Sequence, residues 1–370
     1  MSATSNVSLR QFFAYCAQRN LPFAFYRLPD AGAVKVIAQH DAVLNKAMFD
    51  KSITNSKGFL FAPFQDDEQY YKVWIKPDVF CEEKNLPKLN FSKQKIDVEI
   101  KEEKIKLKET SKSQYQSLVQ KIKKEISKKH FEKIIAARVI KYKQPEGFNA
   151  VKLFQNLCTK YPHAFVSLVY TKQFGLWVGA SPEILLSVNK KEFKTYALAG
   201  TKANTPQTLI TAWGNKELQE HKIVSRFIVK SFARITKANP SITGPETVVA
   251  GNLLHLRTTL QYKAVESLPW QKVVNALHPT PAVAGLPKQK AIDFILKKER
   301  TSRSFYSGYF GPVNMEAETN LFVNLRCMQV LKNKLAIYVG CGITADSVPK
   351  NEWKESKLKS ETLLGALGGK

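Results

Sequence analysis

Two pairs of glutamates in this chain have a spacing that could hold a cation. The pairs are Glu217/Glu220 and Glu352/Glu355, and each has two residues between its carboxylates. On a helix this spacing places both carboxylates on one face, about one turn apart. Around the first pair, apolar residues at helical spacing predict that this face lies against the core. Carboxylates in such a place require a cation, a proton or a basic partner, so a metal site is the first expectation.

The elements that must carry these glutamates are helices that alternate with groups of strands. A helix is predicted from the first pair to about Phe232, and Asp346 and Pro349 predict the start of a C-terminal helix that carries the second pair. Between residues 164 and 200, short apolar strands follow one another closely. Such close succession is more typical of antiparallel hairpins than of β-α-β crossovers. The pattern predicts an α+β protein, with antiparallel sheets backed by helices.

Composition limits the classes of protein that this chain can represent. It has 57 Lys and Arg against 31 Asp and Glu, a formal net charge of +26. Residues 83–143 are dense in charge of both signs, without an aromatic stacking motif or a zinc finger. A lysine-biased solvated surface is therefore favoured over nucleic-acid binding, and attraction of an anionic substrate is a third interpretation. Within this stretch, Glu99/Glu102 repeats the glutamate spacing among lysines, and we assign it no function.

Cysteine usage and the absence of long apolar runs bear on the compartment. The five cysteines are scattered without a C-x-x-C motif, which is typical of reduced thiols in a cytoplasmic protein. No apolar run reaches the length that spans a bilayer, and the first residues lack the pattern of a signal peptide. We therefore expect a cytoplasmic protein without a membrane partner.

Nine unusual segments occur in one order along the chain, and together they closely resemble the chorismate-utilising enzymes. That family includes anthranilate, aminodeoxychorismate, isochorismate and salicylate synthases. The resemblance covers about residues 131–368 and implies the chorismate-binding fold, with largely antiparallel β-sheets in a sandwich-like core and helices packed outside. It also implies a variable N-terminal part of the same fold at 1–110 and a catalytic region at 111–370, in one continuous domain. The segments are FEKIIAAR (131–138), GASPEILL (179–186), YALAGTKANT (196–205), KELQEHKIV (216–224), LLHLRT (253–258), LHPTPAVAGLPK (277–288), ERTSRSFYSGYFG (299–311), NLRC (324–327) and VGCGITADSVPKNEWKESKLKSETL (339–363).

Two positions and one segment separate the branches of this family. Ala199 stands where the aminodeoxychorismate branch has a nucleophilic lysine, and Lys133 stands where the anthranilate branch typically has glutamine. No glutamine amidotransferase domain is present to supply ammonia, so no such subunit is expected and water remains as the nucleophile. Residues 278–285, HPTPAVAG, resemble the isochorismate branch. The resemblance thus implies an isochorismate synthase, an isomerase of menaquinone or siderophore biosynthesis that acts as a monomer. The alternative is a salicylate synthase.

The resemblance also implies roles for individual residues. Lys133 matches the general base that activates water, and Glu183 matches the general acid that protonates the departing C4 hydroxyl of chorismate. His255 matches a histidine near that hydroxyl. Without the resemblance, we would interpret Lys133 as a strand lysine that faces solvent and Glu183 as an ordinary glutamate at the start of a strand. We would interpret His255 as a structural histidine.

Binding roles follow from the same resemblance. Glu220 and Glu355 match ligands of Mg²⁺, with Glu217 and Glu352 as supporting or water-mediated partners. Lys359 would balance the acidic cluster or contact the substrate. The remaining matches bind the substrate's anionic groups: Tyr306, Arg326, Gly340 and Gly342 at the enolpyruvyl carboxylate, and Gly200 and Thr201 on the ring side.

Overall fold

The computed structural model describes residues 7–49, 51–88, 107–264 and 268–368. These residues include a 3₁₀ turn, Glu83–Asn85. Their α-helices are α1 (Leu9–Gln18), α2 (Lys51–Asn55), α3 (Lys112–Ser127), α4 (Ala150–Lys160), α5 (Pro206–Ile210), α6 (Asn215–Ala233), α7 (Trp270–Leu277), α8 (Lys288–Lys298) and α9 (Pro349–Leu364). Their strands are β1 (Phe23–Arg27), β2 (Lys35–Ala38), β3 (Asn45–Lys46), β4 (Gly58–Ala62), β5 (Val73–Ile75), β6 (Val79–Glu82), β7 (Lys133–Lys143), β8 (Phe165–Thr171), β9 (Gly175–Ser181), β10 (Ile184–Asn189), β11 (Glu192–Ala203), β12 (Ser241–Ala250), β13 (Leu253–Lys263), β14 (Gly285–Leu286), β15 (Tyr309–Val313), β16 (Glu318–Val323), β17 (Cys327–Val330) and β18 (Lys334–Ile343).

The described strands form two antiparallel sheets. The first sheet has the order β14-β7-β18-β17-β9-β8-β1-β2-β6, and the second has the order β12-β13-β11-β10-β16-β15-β4-β5-β3. Strands from the first 80 residues extend both sheets, because β1 pairs with β8 and β4 pairs with β15. The α+β prediction is confirmed, as is the largely antiparallel pairing that the close succession of strands indicated.

An aromatic core joins the two sheets face to face. Phe165 of the first sheet stacks on Phe322 of the second, with ring centroids 4.1 Å apart and an interplanar angle of 1°. Helices cover the outer faces, with α1 and α4 against the first sheet and α6 and α7 against the second. Helices α3 and α8 pack against β7 and β18 at one edge. The molecule is a sheet sandwich with helices outside, as the resemblance implied.

Several elements differ from those expected from sequence. Helix α1 and strand β12 were not predicted, although Ser8 and Gln11 form a capping box at the start of α1. The segment between Glu318 and Val330 forms two strands, β16 and β17, because Asn324–Arg326 separate them. Glu99 and Glu102 lie outside the described residues. None of the helices that the structure describes is both long and apolar enough to traverse a bilayer.

Candidate active site

Two chain segments cross from one sheet to the other side by side, and the candidate site lies at this junction. The chain leaves β9 of the first sheet and enters β10 of the second through Pro182 and Glu183. It returns from β16 to β17 through Asn324–Arg326. The backbone N–H of Val323 donates to the Glu183 carbonyl at 3.0 Å, and that of Ala180 donates to the Arg326 carbonyl at 3.1 Å. The crossovers therefore fix Glu183 and Arg326 close together inside the fold.

A cavity at this junction gathers most of the residues predicted from sequence. Strand β11 supplies its Gly-Thr wall, β18 supplies two glycines, and helices α6 and α9 each supply a charged residue. The predicted residues that line it are Glu183, Gly200, Thr201, Glu220, His255, Tyr306, Arg326, Gly340, Gly342 and Lys359. The structure places the other four, Lys133, Glu217, Glu352 and Glu355, outside this lining.

Glu183 is fully enclosed and is held in its neutral form. Burial raises the pKa of this carboxyl to about 8, and the positive charges of Lys133 and Lys359 offset only part of that effect. Its side chain faces the cavity. A buried carboxylic acid that stays protonated at neutral pH can donate a proton to a leaving group. The structure therefore gives Glu183 the properties that a general acid needs.

Lys133 begins β7 and lies directly behind the cavity wall. Its side chain has no exposed surface, and its Nζ atom lies 2.9 Å from Oε1 of Glu220 on α6. Gly342 makes this pair possible, because a Cβ atom at that position would lie 2.1 Å from Glu220 Oε1 and 2.8 Å from Lys133 Cε. The glycine therefore leaves the space in which the lysine and the glutamate meet, a role that the sequence did not predict.

His255 contacts Arg326 and the backbone of the Gly-Thr segment. Its Nε2 lies 3.1 Å from Nη2 of Arg326, and its Nδ1 lies 2.8 Å from the Gly200 carbonyl oxygen. Because the guanidinium can only donate, Nε2 accepts and Nδ1–H donates to Gly200. Burial, together with the charge of Arg326, lowers the pKa of His255 to about 3. This neutral imidazole fixes the Arg326 guanidinium, while its predicted place near the C4 hydroxyl stays a prediction.

Arg326 and Tyr306 form the other end of the cavity. Nη1 of Arg326 donates to the carbonyl of Lys359 at 3.2 Å, and its backbone has a φ of 48°, which is uncommon for a residue with a side chain. Tyr306 stacks on Tyr338 with ring centroids 5.5 Å apart. A Cβ on Gly340 would lie 2.7 Å from the Tyr306 hydroxyl, so this glycine also makes room for a neighbour.

The second glutamate pair lies at the start of α9. Lys359 Nζ contacts Oε1 of Glu355 at 2.7 Å and donates to the Gly340 carbonyl at 2.9 Å. Burial would raise the pKa of Glu355, but the charges of Lys359 and Lys216 outweigh it and lower the pKa. Burial and the neighbouring Glu355 raise the pKa of Glu352. Lys359 thus balances the charge of Glu355 and lines the cavity, while its contact with a substrate stays a prediction.

The donor set at this place fits a hard cation. Glu352, Glu355 and Cys341 have potential ligand atoms within 4.8 Å of one another. Burial raises the pKa of Cys341 well above its usual value, so it stays a thiol and leaves the carboxylate oxygens as donors. The Oε2 atom of Glu352 is buried and accepts no hydrogen bond from the residues that the structure describes. Glu220 is not part of this group.

Glu217 lies at a different place from Glu220, the other glutamate of the first pair. It lies in the first turn of α6. A Cβ atom on Gly200 would lie 3.2 Å from the Cβ of Glu217, and a Cβ atom on Gly214 would lie 2.7 Å from its Oε2. Its side chain is only partly buried. The structure therefore places Glu217 at the edge of the site, on the side of the Gly-Thr segment.

Sequence reasoning missed one charged residue of the site. Lys216 immediately precedes Glu217, and its Nζ lies 2.6 Å from Oε1 of Glu352 on the other helix. The motif KELQEHKIV contains this lysine, but a single lysine at a helix start is not distinguishable from the many surface lysines of this chain. Tyr338 of β18, which supports Tyr306, was also not predicted.

The geometry described above defines the class of protein. A model of the family "Chorismate binding enzyme" matches residues 39–368, and the chain belongs to that family. It is similar to the isochorismate synthase EntC of Escherichia coli strain K12, with 27% identity over 244 residues, which cover 64% of this chain and 62% of EntC. The isochorismate synthase MenF of Bacillus subtilis strain 168 is 27% identical over 252 residues, which cover 66% of this chain and 53% of MenF. Each match thus spans less than two thirds of the relative.

Solved structures share the fold over nearly the whole chain. DhbC from Bacillus anthracis has a TM-score of 0.76 with 21% identity, and the match covers 98% of this chain and 100% of that one. The menaquinone-specific isochorismate synthase MenF from Escherichia coli has a TM-score of 0.77 with 19% identity, covering 96% and 91%. At these identities the likeness shows that the fold is the same.

Proposed function

We propose that this chain is an isochorismate synthase, which adds water at C2 of chorismate and expels the C4 hydroxyl as the ring double bonds shift. One observation carries the proposal: a fully buried lysine lies behind one wall of the cavity, and a buried carboxyl at the crossover between the two sheets lines the same cavity. Lys133 lies behind Glu220 and Gly342, and Glu183 faces the same space. This is the pair of groups that water addition with loss of a hydroxyl requires.

The two groups would divide the proton transfers between them. Lys133 takes a proton from the attacking water, and for this it must be in its neutral form. Glu183 gives its proton to the departing hydroxyl, so that water leaves. One proton is taken and one is given, and the net reaction is an isomerisation.

The substrate is a dianion, and cationic or donor groups are available for both of its carboxylates. Arg326 has guanidinium donors beyond those used by Lys359 and His255. With Tyr306 and Gly340 beside it, Arg326 would bind the enolpyruvyl carboxylate. Gly200 and Thr201 line the same cavity and would face the ring side of the substrate.

Mg²⁺ is part of this proposal, with Glu220 and Glu355 as its ligands and Glu217 and Glu352 in support. When bound, it would neutralise these carboxylates and hold the ring carboxylate of chorismate. A Glu355→Gln variant tests this set, and we expect loss of Mg²⁺-dependent turnover in a protein that stays folded. Full Mg²⁺-dependent activity in this variant would remove Glu355 from the metal site.

The direct test is to incubate the protein with chorismate and Mg²⁺ and to identify the products after separation. We expect isochorismate. Salicylate and pyruvate would instead support the salicylate synthase alternative, and unchanged chorismate with folded protein would overturn the proposal. The MenF structure from Escherichia coli is described as menaquinone-specific. We propose that a menaquinone or a siderophore pathway uses the product. We further propose that residues 111–370 supply the catalytic groups and that residues 1–110 complete the fold.

A further inference from the structure

Lys216 connects the two acidic helices of the candidate metal site. It lies at the start of α6, and its ammonium contacts Oε1 of Glu352, in the first turn of α9, at 2.6 Å. The side chain of Glu352 has no exposed surface, whereas 22% of the Lys216 side chain is exposed. The other oxygen of Glu352 accepts no hydrogen bond from the described part of the chain. Lys216 therefore provides the direct cationic partner of a fully buried carboxylate.

The charges around Lys216 place it among the groups that would hold a metal. The carboxylates of Glu352, Glu355 and Glu220 all attract its ammonium, and Glu352 contacts it directly. Its charge therefore interacts with carboxylates of both acidic pairs. The other two lysines of the cluster have further contacts, because Lys133 pairs with Glu220 and Lys359 binds Glu355 and the Gly340 carbonyl.

A divalent cation that binds to these carboxylates would be repelled by this ammonium. Like charges a few ångströms apart repel strongly where water is partly excluded. At the same time, the contact between the Lys216 ammonium and Oε1 orients the buried Glu352 carboxylate before any metal arrives. A purely structural ion pair would hold Glu352 in place without lowering the affinity for the metal.

We propose that Lys216 is a positioning residue that occupies the cation position between the two acidic pairs and sets the affinity of the site for a divalent metal. Its ammonium orients Glu352 and compensates the charge of the carboxylates in the metal-free enzyme, and it moves away from them when the metal binds. This inference rests on the metal site of the proposed function and adds a residue that controls its occupancy.

The test measures metal binding alone, without chorismate. Mn²⁺ binding is followed by the EPR signal of the free ion, and Mg²⁺ binding is followed by competition with Mn²⁺. Lys216→Met keeps the length of the side chain and removes its charge, and we expect the affinity to rise about tenfold or more. Lys216→Arg keeps the charge and should bind like the wild type. Lys222→Met, an exposed lysine on the same helix, is the matched control and should not change the affinity.

A double-mutant cycle separates competition from a general loss of positive charge. If Lys216 acts through Glu352, the gain in affinity from Lys216→Met should shrink or vanish in a Glu352→Gln background. Equal or weaker metal binding by Lys216→Met, with a melting temperature that shows folded protein, would overturn the inference. Should Lys216→Met fail to fold, Lys216→Gln takes its place, and unchanged or weaker metal binding by folded Lys216→Gln overturns the inference.

The outcome is independent of the reaction assay. Wild-type protein that forms isochorismate and binds Mn²⁺, but whose affinity does not respond to position 216, contradicts only this inference. Protein that binds no divalent ion contradicts both this inference and the metal part of the proposed function.

Discussion

The Nζ atom of Lys133 lies 2.9 Å from Oε1 of Glu220, which joins the first residue of β7 to the helix that carries the first glutamate pair. The contact forms in the space beside Gly342, where any side chain would collide with both partners. It couples the proposed base to a proposed metal ligand. A change at Glu220 is therefore expected to alter the position of the Lys133 amine as well.

Lys133→Met tests the role of the lysine as the base. The substitution fills similar space and removes the amine, so we expect kcat to fall by about 10²–10⁴ while chorismate still binds. Product assays and equilibrium binding of chorismate measure the two effects. Lys141→Met, at an exposed position of the same strand, is the control and should retain full activity. Wild-type turnover by Lys133→Met would remove the lysine from the proton transfer.

Glu183 should impose an alkaline limit on activity. Because burial raises its pKa to about 8, the proton that it donates is present below that pH and lost above it. We expect kcat to fall as the pH rises through about 8. Glu183→Gln should reduce kcat by about 10²–10⁴ and remove this limb of the profile. If kcat of the variant still falls at the same alkaline pH, another group causes the fall.

The same carboxyl should also make stability depend on pH. Its pKa rises from 4.5 to about 8 on folding, so its contribution to stability is complete below pH 4.5 and is lost as the pH rises through about 8. Over this window the free energy of unfolding of the wild type should fall relative to that of Glu183→Gln. Denaturant titrations of both proteins across the window measure the difference, and parallel curves would contradict the burial of an uncharged acid.

His255 should act through Arg326. Its Nε2 accepts from Arg326 and its Nδ1–H donates to Gly200, so His255→Ala should leave the guanidinium misaligned and raise KM more than it lowers kcat. His255→Gln can offer an acceptor again and should recover part of the loss. A fall in kcat at unchanged KM, without rescue by glutamine, would instead favour a direct role at the C4 hydroxyl.

Gly342→Ala tests the contact between Lys133 and Glu220 without changing any ionisable group. The added methyl would meet Glu220 Oε1 at 2.1 Å and Lys133 Cε at 2.8 Å, so one of them must move. We expect a loss of stability of about 1–3 kcal/mol and a strong loss of turnover. Gly32→Ala is the matched control, because a Cβ there has no described heavy atom within 4 Å. Thermal unfolding and turnover are measured for both variants. Equal stability and equal turnover in the two variants would contradict the close contact of Gly342 with Lys133 and Glu220.

Sequence analysis predicted the fold class and located most of the cavity. The E-x-x-E spacing showed that paired carboxylates share a helix face, and the segments 179–186 and 324–327 pointed to Glu183 and Arg326. It did not show that these two segments are crossovers between the sheets. Their contacts, Val323 to Glu183 and Ala180 to Arg326, join residues far apart in the chain.

The amino-acid sequence alone determined the chemical groups, their helical or strand spacing and the family resemblance, because periodicity and motifs are properties of neighbouring residues. Only the tertiary structure decided which charges meet. Lys133 pairs with Glu220, Lys216 with Glu352, and Arg326 with His255. These partners depend on sheet register and on the crossovers between the sheets, which bring distant segments to one junction. Burial at that junction then sets the protonation of Glu183 and His255, and no local pattern in the sequence encodes it.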